Sequence, residues 1–230
     1  SLIGAYGMQG MFVATFLAGA LLILAAVLHL GNLTVFVPAP VITGFTSGIA
    51  VIIAMGQIDN FFGTHSVGEN QISKIASYFT GEGSFNPNWW AVMFGGLVVL
   101  IMVIYPKKWN AVVPASLIGI IIATAATMIL KLDIATVGEI PKTLMLPDRL
   151  SPAQINWNTV PALLAPAFSI AVLNMLESLL CGASAGRATG VKLNNDQELF
   201  AQGVGNMVLP MFGGIPATAA LARTSVAVRS

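Results

Sequence analysis

Charge is scarce in this chain: Asp, Glu, Lys and Arg together make up 8% of the 230 residues, against about 25% in soluble domains. The net charge is +1, and no polybasic run offers a surface for nucleic acid. Cysteine is nearly absent. The single Cys181 excludes an internal disulfide framework and a thiolate metal site. Histidine is equally sparse: His29 and His65 have no second ligand at metal spacing. There is no phosphate-cradling Gly-Lys-Ser/Thr loop and no dinucleotide fingerprint. Thr224 and Ser225 lack a nearby base in the chain, so a hydrolytic triad is not offered. The expectation is therefore a protein that is not an enzyme and holds no metal or cofactor. No signal peptide is visible, Ser1 opens the chain without Met, and Arg229-Ser230 follow an apolar run directly; a piece of a longer protein is expected.

What is abundant is apolar sequence, 56% of all residues, and it falls into bilayer-length runs. Met8 to Leu30, Val37 to Ile58, Trp89 to Tyr105, Val112 to Leu130 and Thr159 to Ala183 read as five spanning helices. Gly44-Phe45-Thr46-Ser47-Gly48 is a small-xxx-small pattern that lets another helix come close. Between Phe61 and Asn88, the residues Ile72, Ile75, Ala76 and Phe79 recur at helical spacing opposite Gln71, Ser73, Lys74 and Ser77, which predicts a short amphipathic helix on the membrane surface. Trp89, Trp90, Tyr105 and Trp109 form an aromatic belt. The short loops 106–110 and 184–197 carry Lys107, Lys108, Arg187 and Lys192 and lie two spans apart, so they share a side, assigned as cytoplasmic. Loop 131–158 then falls outside.

Two short segments remain, Leu199 to Phe212 and Ile215 to Val228. They flank Gly213-Gly214, which stops the first, and Pro216, which suits the first turn of the second. A helix starting at membrane depth presents unpaired N–H groups and a positive dipole end, tolerated where they face protein, water or an anion. Adjacent short, Gly/Pro-interrupted segments point to a midplane site in secondary transporters. Arg223 would lie about two turns into that helix. It either snorkels or pairs structurally, or it adds positive potential behind an anion at the helix start. Pro216, Thr218, Ala219, Ala220, Leu221 and Ala222 would border that ligand, although so many alanines also suit close helix packing. Glu177 is the one acidic residue inside a span, with Asn174 and Cys181 on its face. Its carboxyl either holds and releases a proton or is a structural partner of Arg223 or backbone donors. Cys181 reads as a packing residue rather than a reactive thiol.

Four stretches carry a resemblance: Val37 to Gly48 (VPAPVITGFTSG), Glu177-Ser178-Leu179-Leu180-Cys181, Asn194 to Asn206 (NNDQELFAQGVGN) and Phe212 to Thr224 (FGGIPATAALART). Together they resemble the SulP family of anion permeases. The resemblance implies an all-α integral membrane protein with a 7+7 inverted-repeat transporter fold, a core domain and a gate domain, and broken half-helices. Segments four to ten would be present: 1–36 as core (the end of segment three, then segment four), 37–131 as gate (five to seven), 132–158 as an extracellular loop, and 159–230 as core (eight to ten). A homodimer with a C-terminal STAS domain is implied for the complete protein, in the plasma (inner) membrane. The anion would sit at Ala219 to Arg223, with Glu177 at the acidic position of segment eight. Sodium-coupled bicarbonate members have hydroxyl side chains where Cys181 and Leu221 stand, which favours a proton as coupling ion. Sulfate, bicarbonate and C4-dicarboxylate are the candidate anions. The rivals are a nucleobase permease of the same architecture and a membrane sensor module without net transport.

Overall fold

The computed structural model describes residues 2–32, 39–68, 70–80, 83, 85–106, 109, 113–131, 142–143, 145–151, 153, 155–191, 193–220, 223–224 and 227–228. Helices dominate and no strand occurs among them. Three are long and apolar enough to cross a membrane, within Leu2–Val27, Thr43–Phe62 and Trp157–Thr189. The chain divides into two compact units, one of Ser1–Ala39 with Pro141–Ser230, the other Pro40–Ile140.

In the first unit, α1 (Leu2–Val27) packs on α7 (Val160–Thr189) and α8 (Asn195–Val208). Gly7, at φ 67° and ψ −174°, breaks α1 into a short lead-in and the expected span; the positive φ is open to glycine without the Cβ penalty. The buried face of α1 is built largely of small residues, with Ala14, Thr15 and Ala18 fully enclosed around Phe12 and Leu22. Lipid tails are as apolar as these side chains, so close contact rather than escape from water holds such helices together. The crossing of α1 and α8 shows how close: a Cβ on Gly19 would stand 2.6 Å from the Gly203 carbonyl oxygen, and one on Gly203 2.8 Å from that of Gly19.

Two helix ends differ from expectation. α7 continues through Gly182 to Thr189 and stops at Gly190, whose φ of 75° forms a left-handed cap. The Ala-rich tail of α7 propagates the helix well, and Arg187 in its last turn suits the negative end of the dipole. α8 begins at Asn195, four residues before the expected Leu199, because the Asn194 side chain caps it by accepting from the Asp196 and Gln197 N–H groups at 3.1 and 3.2 Å. Beside this cap, Asp196 accepts from the Gly31 N–H at 2.9 Å and meets His29 Nδ1 at 3.0 Å. Asn195 donates to the Gly31 carbonyl at 3.1 Å. The His29 hydrogen bond first, then the Gly31 N–H, hold the Asp196 carboxyl below its ordinary value.

The second unit holds α2 (Ala39–Gly56), α3 (Ile58–Phe62), α4 (Gln71–Thr80), α5 (Trp89–Ile104) and α6 (Ala115–Leu130). α5 packs on α6 and α3. The close helix approach expected at Gly44 and Gly48 is not made among the described residues: a Cβ at either would meet open space. α6 starts at Ala115 rather than Val112, with Pro114 as its N-cap, because a residue without an N–H is tolerated only at a helix start. Val112, Lys107 and Lys108 lie outside the described residues. α4 is the expected amphipathic helix. Ile72 and Phe79 are 75% and 87% exposed, whereas Ser77 is buried and takes the Val67 N–H at 3.1 Å. Next to it, Asp59 accepts from Thr64, Ser66 and Tyr78 hydroxyls.

Candidate functional site

The chain leaves α8 through a 3-10 turn, Leu209–Phe212, closed by Gly213 at φ 84°. The Gly214 N–H returns to the Leu209 carbonyl at 2.8 Å. The loop before α7 presses on this turn: Leu150 N–H donates to the Pro210 carbonyl at 2.8 Å, and a Cβ on Gly213 would stand 2.7 Å from the Asp148 carbonyl. The break expected from Gly213-Gly214 is therefore present.

The helix expected to begin at Pro216 does not. Residues 214–220 are unwound, and the first helical bond among the described residues after them runs from the Thr224 N–H to the Ala220 carbonyl at 2.9 Å. Two causes act together. Pro216 pushes the preceding Ile215 away from helical angles. Ala217, moreover, has both backbone groups occupied by a side chain: its N–H donates to Asn206 Oδ1 at 2.9 Å, and its carbonyl accepts from Asn206 Nδ2 at 2.8 Å. A third bond comes from α7, where Asn174 Nδ2 donates to the same carbonyl at 3.2 Å. Asn206 and Asn174 are 1% and 3% exposed. Irregular backbone at membrane depth persists where protein groups satisfy it, and these two amides do so. Sequence reasoning gave Asn206 no role, although an amide in a short apolar segment is itself a signal of helix-to-helix hydrogen bonding.

One face of α7 lies along this stretch. Asn174 meets Ala217, Ser178 Oγ stands 3.5 Å from Thr218 Oγ1, and the buried Cys181 thiol donates to Thr224 Oγ1 at 3.0 Å. Of the expected site residues, Asn174, Cys181 and Thr218 are thus brought together. Pro216, Ala219 and Ala220 are half-buried beside them. Leu221 and Ala222 lie outside the described residues. Arg223 is exposed, and because residues 214–220 are not helical, it lies closer than two turns to any helix start that follows them. Glu177 is half-buried. At 100° per residue it is turned about 60° from Asn174, at the edge of the face that contacts the unwound stretch. Among the described residues the one ion pair is His29–Asp196, so none joins Glu177 to Arg223. No group of His, Cys, Asp and Glu among them could hold a metal ion. The arrangement joins the Asn174–Ser178–Cys181 face to the unwound stretch through neutral amides and hydroxyls, with Glu177 at the edge of that face. Such a set can attract an anion and carry a proton, and it offers no nucleophile paired with a base.

Residues 5–230 match the sulfate permease family. The chain is 37% identical, over 98% of its length, to "Putative sulfate transporter YvdB" of Bacillus subtilis (strain 168), of which it covers 43%. It is 27% identical to the bicarbonate transporter BicA of Picosynechococcus sp., covering 97% of this chain and 39% of that one. It therefore spans less than half the length of these relatives. Superposed on the solved transmembrane domain of a cyanobacterial bicarbonate transporter BicA, it gives a TM-score of 0.86 at 27% identity, over all of this chain and 58% of that one. The inward-facing murine Slc26a9 anion transporter gives 0.75 at 19% identity, over all of this chain and 38% of that one, a likeness of fold.

Proposed function

Because the chain belongs to the sulfate permease family, a family of multi-pass membrane transporters and not of enzymes, we propose that it forms the middle part of a secondary carrier for a small anion. Sulfate, bicarbonate and a C4-dicarboxylate are the candidates, as the names of the relatives suggest for the first two. The carrier works by alternating access in the plasma (inner) membrane. Residues 1–36 and 159–230 belong to a core domain, 37–131 to a gate domain, and 132–158 to an extracellular loop, within a 7+7 inverted repeat. The whole protein is a homodimer with a STAS domain behind.

The observation that carries this reading is the contact of the Asn174–Ser178–Cys181 face with Ala217, Thr218 and Thr224. Glu177 stands at the edge of that face. Arg223 and the helical turn at Ala220 attract the anion; Pro216, Thr218, Ala219, Ala220, Leu221 and Ala222 border it. Glu177 couples a proton, since an ionisable side chain inside a span is a functional candidate by default. Asn174 and Cys181 support it on the same face. The test is uptake of labelled sulfate, bicarbonate and succinate by vesicles holding the whole protein, at pH 6 and pH 8. Uptake of one of them is expected, faster with an inward proton gradient, and Glu177→Gln should abolish that pH dependence while anion binding survives. Unchanged pH dependence in Glu177→Gln would remove the proton from the mechanism.

A further inference from the structure

Unwound backbone inside a membrane needs partners for its N–H and C=O groups, and each group left bare costs several kcal/mol. In a sheet the neighbouring strand supplies them. Here the side chain of Asn206 does, and an amide suits the task because it carries one donor and one acceptor on the same planar group. Its orientation is settled by chemistry: the Ala217 N–H can only donate, so Oδ1 must face it. Nδ2 then serves the Ala217 carbonyl and also the Gln202 carbonyl one turn back on α8, at 2.9 Å. Asn174 fills the second lone pair of the Ala217 carbonyl from α7.

We infer that Asn206, assisted by Asn174, is the positioning residue of the anion half-site: its two-pronged grip on Ala217 sets where and in which direction the helical turn at Ala220 begins. The inference rests on the carrier reading. Ala217 lies three residues before Ala220, whose carbonyl accepts from the Thr224 N–H, so a small tilt of its peptide re-aims that turn. Asn174 lies three residues before Glu177 on the same helix. The clamp therefore ties the carboxyl-bearing face of α7 to the backbone that would meet the anion, and the two halves of a coupled site share one rigid joint.

The experiment uses the whole protein in lipid vesicles as wild type, Asn206→Leu and Asn206→Asp. Leucine keeps the shape and removes both hydrogen-bonding groups. Sulfate, bicarbonate and succinate uptake give KM and maximal rate, with the amount of inserted protein measured in parallel. Alkylation of Cys181 by N-ethylmaleimide, quantified on its peptide by mass spectrometry, reports release of the 217–224 stretch from α7. Asn206→Leu should raise the anion KM about tenfold, the equivalent of one lost hydrogen bond in a dry site, and speed Cys181 alkylation about tenfold. Asn206→Asp should approach wild-type KM at pH 6 and depart from it at pH 8, because a protonated carboxyl restores the donor and acceptor pair. Wild-type alkylation in Asn206→Leu overturns the clamp; faster alkylation with unchanged KM overturns its role in positioning. If Asn206→Leu does not insert, an Asn206→Asp KM ratio to wild type that is equal at both pH values overturns the inference. Absence of wild-type uptake for all three anions sinks the carrier reading instead, while alkylation still decides the clamp.

Discussion

The two ends of α8 are anchored by different chemistry. At its start, Asp196 is hydrogen-bonded to His29 Nδ1 and accepts from the Gly31 N–H, with the His29 side chain 82% exposed. At its end, Asn206 and Asn174 hold Ala217 with neutral amides that are almost fully enclosed. The difference follows from solvent. A carboxylate at a helix start in contact with water is stabilised by the dipole and by hydration. The same carboxylate at depth would shift toward its neutral form or need a buried counter-charge. Amides satisfy backbone without either.

The comparison breaks first at Asn206. Asn206→Ala in the whole protein should cost about 3 kcal/mol in thermal unfolding, because it strips the Ala217 N–H of its acceptor and removes a donor from the carbonyl. Asn174→Ala should cost about 1 kcal/mol, since that carbonyl keeps Asn206. Equal losses would show that the two amides are not ranked as described. The next effect is at Asp196. Its folded-state value lies below the ordinary 3.8, so its contribution is complete above that value and disappears as pH falls through the lowered one. Asp196→Asn should flatten stability against pH below about pH 4, whereas Asn206→Ala should lower the whole curve without changing its slope. The smallest effect is His29→Ala: a slight shift in the unfolding midpoint at low salt that vanishes near 1 M, where screening acts within about 3 Å.

The contrast also marks what the sequence could and could not tell. The apolar helices, three of the five expected spans being long enough to cross a membrane among the described residues, the break at Gly213-Gly214 and the outward apolar face of α4 were legible, because each is a local pattern of apolar periodicity or backbone freedom. The unwinding of 214–220 was not. Pro216 suits a helix start as well as an extended segment, and the choice is made by Asn206 and Asn174, placed 11 and 43 residues away in the chain. The small-xxx-small pattern at Gly44 and Gly48 was legible as packing potential, but no described helix occupies it. The same kind of pattern in α1 does find its partner at Gly203, which a single sequence cannot announce. The site face of α7 could be drawn from Asn174, Glu177 and Cys181 by helical geometry, while its partners on the unwound stretch required the fold.

The grip on Ala217 touches only main-chain atoms, and the residue itself is exposed. The grip itself thus involves no atom of the side chain at position 217. Descendants of this chain can exchange that methyl for another group and alter the lining beside the helical turn without rebuilding the joint beneath it. The hydrogen-bonded joint and the exposed side chain are in this way carried by separate atoms of one residue, a division that lets selection explore the second while leaving the first intact.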